Sequence, residues 1–219
     1  MLFWEIYVKI LVGDVFMKAE FKTDFELSGL SEKPTYICGV DEAGRGPLCG
    51  PVAVAAVIMP EGLIIEGVND SKKLSEKKRE ELFDIIMENA ISYSIVFEDE
   101  KTIDEINILN ATLQAMEKAI NSLNPKADFA LIDGNRSKGI TIPCKTVVKG
   151  DSLSHSIACA SILAKVSRDR LLLEYDKMYP EYGFKAHKGY GTKAHYEAIE
   201  KYGILPIHRR SFLKKILGE

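Results

Sequence analysis

The sequence has no apolar run that approaches the length of a membrane span, so it offers no membrane-crossing helix. It has four cysteines, Cys38, Cys49, Cys144 and Cys159, and no two of them form a C-x-x-C pair. That absence removes the usual signatures of a zinc site or a redox motif. Cys38 and Cys159 lie in apolar segments and read as buried free thiols, the state expected in a reducing cytoplasm. Internal repeats, low-complexity tracts and linkers are also missing. Tryptophan is nearly so: Trp4 is the single one, inside an unusually apolar stretch at 1–16. That stretch has Glu5 ahead of Lys9 and no small-residue cleavage site, which does not fit a secretory signal. Met17 opens a more ordinary segment, so 1–16 reads as an upstream in-frame extension or a disordered segment, and 17–219 as a single domain.

What is present is an ordinary globular balance, 46% hydrophobic and 28% charged over 219 residues. The net charge of −3 carries no sign of a polyanion partner, but its distribution does. Residues 181–219 hold eight Lys or Arg against four Glu. A basic region on a mildly acidic protein faces either solvent or a polyanion. Strands are expected from Tyr36 and over Val52–Met59, Ser92–Phe97, Phe129–Ile132 and Thr146–Val148. A helix should follow Ser75 with Leu82, Ile85 and Ile86 inward. Ile106, Leu109, Leu113, Met116 and Ile120 recur at helical steps, and a long helix fits Ser154–Met178. This alternation of strands and helices argues an α/β fold.

The stretch Tyr36–Pro51 is the most unusual. An apolar strand runs into adjacent carboxylates, Asp41 and Glu42, followed at once by Gly-Arg-Gly-Pro. Two like charges at the end of a core strand repel each other and resist burial, which invites a divalent cation. An Asp-Glu pair on its own equally suits a turn. Successive side chains on a strand point to opposite faces, so one shared site requires a bend or bulge at Glu42, with Gly44 and Gly46 supplying the freedom. Asp133 closes another strand ahead of Gly134, and Asp151 precedes the long helix. Either is also explained locally, Asp133 by a turn and Asp151 by the helix dipole. If these strands are neighbours, Asp41, Glu42, Asp133 and Asp151 form an acidic pocket. Its oxygen-only ligands suit Mg²⁺ or Mn²⁺ rather than zinc. Lys72, Lys73, Lys165, Arg168 and Arg170 are candidate phosphate contacts, and Arg45 suits a phosphate. Tyr190, between two glycines, either stacks on a base or sugar or lies on its own surface. His187, His195 and His208 show no metal-like spacing, and His155 reads as structural.

Gly39-Val-Asp-Glu-Ala-Gly-Arg-Gly-Pro-Leu-Cys-Gly-Pro51 resembles the opening motif of the ribonuclease HII family. So do Asn69–Leu74, Leu131–Gly134, Lys149–Asp151, Ala160–Asp169, His187–Thr192 and Leu205–Arg209, in family order. The resemblance implies a ribonuclease H-like fold: a five-stranded mixed sheet flanked by helices, with a C-terminal helical substrate-binding region. It implies cleavage of RNA in RNA–DNA hybrids and 5′ of single ribonucleotides in duplex DNA, leaving 3′-hydroxyl and 5′-phosphate ends. By resemblance, Asp41, Glu42, Asp133 and Asp151 are the metal-binding carboxylates and Gly44, Arg45 and Gly46 the reader of the 2′-hydroxyl. Tyr190 is the residue stacking at the ribo-to-deoxyribo junction, and Lys72 a phosphate contact. The related ribonuclease HIII has an N-terminal substrate-binding domain, for which the roughly 35 residues before the motif are too few. No Gln-x-x-Leu-x-x-aromatic clamp motif is seen. A cytoplasmic monomer without a membrane partner is the expectation.

Overall fold

The computed structural model describes residues 21–218; the stretch 1–16 and the proposed start at Met17 lie outside them. One five-stranded mixed sheet runs in the order β3-β2-β1-β4-β5. Its strands are β1 (Ile37–Ala43), β2 (Val52–Ile58), β3 (Ser92–Glu98), β4 (Phe129–Asp133) and β5 (Cys144–Val147). The first three form an antiparallel meander, and β4 and β5 add in parallel beside β1. All seven residues of β2 are buried, as a strand covered on both faces requires. The last strand starts at Cys144, two residues before its expected start, and leaves Val148 exposed.

The helices are α1 (Asp24–Ser28), α2 (Glu76–Asn89), α3 (Glu100–Asn121), α4 (His155–Met178), α5 (Phe184–His187), α6 (Lys193–Tyr202) and α7 (Lys214–Leu217). Ser75 and Ser154 cap α2 and α4, each side chain accepting a first-turn amide. α4 lies close against β1 and β2 because its inward residues are small: Ala158, Cys159, Ala160, Ser161 and Ala164 are all buried. The same closeness explains Gly39, where a methyl group would sit 2.3 Å from the Ser156 carbonyl carbon. α2 joins this face through Leu82, Phe83 and Ile86. Phe83 takes the place expected for Ile85, which is exposed, because the helix turns a different stripe to the core.

α3 covers the opposite face with Leu113, Met116, Ala119 and Ile120. Ile106 and Leu109 are only partly buried. The cause is a break at Asn107 (φ 67°, ψ 162°), whose side chain accepts the Leu109 and Asn110 amides and starts a new helical segment. A smaller third core, including Leu48, Cys49, Leu172, Phe184 and Ile199, joins the loop after β1 to the C-terminal helices. Among the described residues no helix is long and apolar enough to cross a membrane.

Candidate active site and nucleic-acid interface

The antiparallel register between β1 and β2 runs unbroken from Gly39↔Val57 to Ala43↔Ala53. The bulge expected at Glu42 is therefore absent, and Asp41 and Glu42 point to opposite faces of a regular strand. A different device exposes both to one place. Pairing of β1 with β4 stops at Val40↔Ile132, so the next rung, Asp41 beside Asp133, is open. The Glu42 amide, freed from the ladder, donates to Asp41 Oδ1 at 2.7 Å. Asp41 and Asp133 share the α4 face, and Glu42 stands across the open edge. Asp133 Oδ1 accepts the Gly150 amide at 2.6 Å, which fixes the turn that carries Asp151.

The electrostatics bind these groups together. Burial first, then the charges of Glu42 and Asp133, hold the Asp41 carboxyl well above the usual range, against hydrogen bonds from Ser161 and the Glu42 amide. Glu42 is raised by burial, with Arg45 opposing and Asp133 adding. Asp151 is raised by burial, then by Asp70 and Asp133. Lys72 loses solvation, but Asp41, Asp70, Asp151 and Asp133 outweigh this and raise its ammonium pKa. Arg45 Nη1 sits 3.4 Å from Glu42 Oε1. Two residues that the sequence does not mark as site residues join it. Asp70 caps the Lys72 amide at 2.9 Å, and Ser161 meets Ser71 at 2.9 Å. The only local signal for Asp70 was its place in the Asn69–Leu74 motif.

The donor set fits a hard divalent cation: every donor is a carboxylate oxygen, and the raised pKa values of Asp41, Glu42 and Asp151 mark burial and a surplus of negative charge that a cation relieves. The carboxylates are not drawn tightly together. Among the described residues, the only three ligand groups within 4.8 Å of one another are Cys49, His195 and His208.

Beside the carboxylates lies the loop Gly44–Pro51, held from below by two buried guanidiniums. Arg209 donates to the carbonyls of Gly44, Arg45, Pro47 and Gly50 at 2.7–3.0 Å. Arg168 donates to those of Cys49 and Pro51, and to Lys188. These bonds turn the carbonyls inward, and the Arg45 and Gly46 amides are left with no partner among the described residues. Burial, then Arg168, lowers Arg209 to about 10, still charged at neutral pH. Arg168 and Arg209 thus hold backbone in place, and the expectation that Arg168 contacts phosphate is corrected. Lys165 pairs with Asp169 and Arg170 with Glu80, so they do not stand free for phosphate either. Arg209→Met leaves four carbonyls without their donor, and its expected cost in urea unfolding is about 3 kcal/mol or more. A cost below about 1 kcal/mol would mean that water replaces the guanidinium.

Tyr190 is 47% exposed, and a methyl group on Gly46 would meet its Cε1 at 3.4 Å. Its ring therefore lies against the Gly-Arg-Gly loop. The Leu48 amide bonds the Gly189 carbonyl at 2.8 Å, and the Gly50 amide the Ile207 carbonyl at 2.9 Å, joining three loops into one body. His187, His195 and His208, which show no metal-like spacing in the sequence, are brought together there: the His187 and His195 rings stack at 4.5 Å. His155 is structural as expected, accepting the Ile65 amide at 3.0 Å.

A mixed five-stranded sheet in this order, with acidic residues where its central strands part, defines a nuclease of the ribonuclease H-like class. The ribonuclease HII family profile matches residues 38–215. A ribonuclease HII of Clostridioides difficile is 60% identical over 193 residues, covering 88% of this chain and 76% of the relative. The ribonuclease H2 of Pyrococcus horikoshii superposes with a TM-score of 0.67 at 29% identity, covering 81% of this chain and 93% of the other. A ribonuclease HII of Archaeoglobus fulgidus, solved in complex with PCNA, gives 0.67 at 26%, covering 80% and 93%. The chain belongs to the ribonuclease HII family. It is a metal-dependent type 2 ribonuclease H, cleaving RNA in RNA–DNA hybrids and at ribonucleotides embedded in DNA.

Proposed function

We propose that Asp41, Glu42, Asp133 and Asp151 hold two divalent cations, Mg²⁺ or Mn²⁺, at the open rung between β1 and β4. Residues 17–219 act as one catalytic domain and a monomer. The adjacency of buried Asp41 and half-buried Asp133, beside a loop with outward amides, carries the reading. When bound, the cations supply an activated water and stabilise the leaving oxygen of the phosphodiester. The chain's own residues do the rest. The Arg45 and Gly46 amides meet the 2′-hydroxyl of the ribonucleotide, and backbone donors do this without regard to the base. Arg45, Lys72 and the exposed lysines of the C-terminal region steer and hold the phosphates. Tyr190 stacks on the sugar of the following deoxynucleotide and selects the ribo-to-deoxyribo junction. Incision falls 5′ of the ribonucleotide and leaves 3′-hydroxyl and 5′-phosphate ends.

The direct test compares a duplex carrying one ribonucleotide with an all-DNA duplex, in Mg²⁺, in Mn²⁺ and in chelator. Cleavage only of the first, and only with metal, is expected; equal cleavage of the control would overturn the selectivity. Tyr190→Ala should lower kcat/KM on the single-ribonucleotide duplex about tenfold, the scale of one lost stacking contact, and change continuous-hybrid cleavage less. An equal loss on both would show that the ring does not read the junction.

A further inference from the structure

Beneath Tyr190 lies a pair of imidazoles that the carboxylate site does not use. His195, on α6, is wholly buried and His208 nearly so. Their Nε2 atoms are 3.1 Å apart. His195 Nδ1 lies 3.0 Å from the Tyr190 carbonyl oxygen, and the Leu205 amide donates to His208 Nδ1 at 2.8 Å. Both ends of this chain are main-chain groups whose roles are fixed, and that determines every hydrogen along it. A carbonyl only accepts, so His195 Nδ1 carries hydrogen and its Nε2 has the lone pair. An amide only donates, so His208 Nδ1 has the lone pair and its Nε2–H donates to His195. One neutral tautomer of each ring satisfies all three bonds.

An added proton has no place in this chain, because it would set two N–H groups face to face. Burial lowers both imidazoles to about 4. Cys49 lies in the same cluster, but the chain does not suit a metal. A metal would need both Nε2 lone pairs, and the one on His208 is occupied by hydrogen. The Cys49 thiol is pushed up to about 12 by burial. What the chain does have is direction, ending on the main chain of Tyr190, whose ring is exposed beside the Gly-Arg-Gly loop. The Tyr190 carbonyl also takes the Thr192 amide at 2.8 Å, and the Tyr190 amide donates to the His187 carbonyl at 2.9 Å, so its backbone is held from three sides.

We propose that His195 is a positioning residue for junction recognition: through its Nδ1–H bond to the Tyr190 carbonyl, braced by His208 and the Leu205 amide, it sets where the Tyr190 ring stands over Gly46. This rests on the reading of Tyr190 as the junction-stacking residue. The measured quantity is the ratio of kcat/KM on duplex DNA with one ribonucleotide to that on a continuous RNA–DNA hybrid.

Two variants separate positioning from filling space. In His195→Asn the amide nitrogen falls where Nδ1 was and keeps the bond to Tyr190 while losing His208. In His195→Gln the amide oxygen takes the place of Nε2 and keeps His208 while losing Tyr190. Gln is nearer His in size, so a packing role ranks Gln above Asn. Positioning ranks Asn above Gln, with the ratio within about twofold of the parent for Asn and lowered about tenfold for Gln. In a Tyr190→Ala background, His195→Gln should lower the ratio no further. A Gln variant as selective as the parent, or a loss that persists without the Tyr190 ring, would overturn the inference. If Tyr190→Ala itself left the ratio unchanged, the Tyr190 reading would fall instead. Should the His195 variants fold poorly, His208→Asn, which keeps an acceptor for the Leu205 amide and loses the donor to His195, is expected to lower the ratio in the same direction, and an equal loss on both substrates would count against the inference.

Discussion

Asp41→Asn is expected to lower cleavage of a single-ribonucleotide duplex by at least about a thousandfold, with the Kd for that duplex moving less than about threefold. Asp41 is 4% exposed and stands at the open rung beside Asp133. Asparagine has the same shape and keeps an acceptor for the Glu42 amide, so the strand has no cause to move. It loses the charge that the cations require.

The same substitution has a second outcome with a definite sign. Burial, Glu42 and Asp133 raise the Asp41 carboxyl above its unfolded value of 3.8. Folded protein therefore binds that proton more tightly than the unfolded chain does. The resulting stability is complete below the unfolded value and is lost as pH rises through the raised folded one. At neutral pH without metal, the buried Asp41 carboxyl therefore opposes folding, and Asp41→Asn should melt at the parent's temperature or above. Added Mg²⁺ should stabilise the parent more than the variant. A variant that keeps a tenth of the parent's activity, or that melts well below the metal-free parent, would contradict the assignment.

Gly44→Val should be nearly as damaging, by a different route: about a hundredfold in kcat/KM on both single-ribonucleotide and continuous-hybrid substrates. Gly44 has φ +93°, where a β-branched residue is strained by about 1–3 kcal/mol. A Cβ there would also fall 1.9 Å from Arg168 Nε and 2.2 Å from its Cδ. Arg168 must then move, releasing the Cys49, Pro51 and Lys188 carbonyls together. Lys188 lies two residues before Tyr190, so the loop beside the carboxylates and the loop carrying the ring lose their common anchor. Gly46 differs: its φ is not in the left-handed region, and a methyl group would only touch Tyr190 at 3.4 Å. Gly46→Ala should therefore cost much less on continuous hybrid than Gly44→Val. A Gly44→Val enzyme that loses ribonucleotide preference yet cuts DNA well would show that selectivity and cleavage are separable.

The parts of the molecule that the sequence made legible are those encoded locally. Strand β2 is a run of small and β-branched residues closed by Pro60, and α4 begins one residue after its Ser154 cap. The carboxylates stood out as a set: each alone suits a turn or a helix terminus, but charges at the ends of several apolar strands together point to a cation. The route by which Asp41 and Glu42 come together was misread, because a strand's own pattern does not say where its neighbour stops pairing. The absence of a β1–β4 rung after Val40 replaces the expected bulge.

The buried cations were illegible for a related reason. A motif arginine reads as a phosphate ligand until the fold shows which carbonyls surround it. Arg209 meets the Gly50 carbonyl across 159 residues of chain. Likewise His195 and His208 have no metal-like spacing in sequence, yet the turn between them puts their Nε2 atoms in contact. Long-range satisfaction of polar groups, rather than periodicity, decided these roles.

The most direct test of the central claim is anomalous scattering from crystals of the protein grown with Mn²⁺ and a non-cleavable duplex carrying one ribonucleotide. Manganese density should lie among Asp41, Glu42, Asp133 and Asp151, next to the ribonucleotide held at Gly44–Gly46. An occupied substrate groove with no manganese at Asp41 and Asp133, or manganese only at Cys49, His195 and His208, would contradict it.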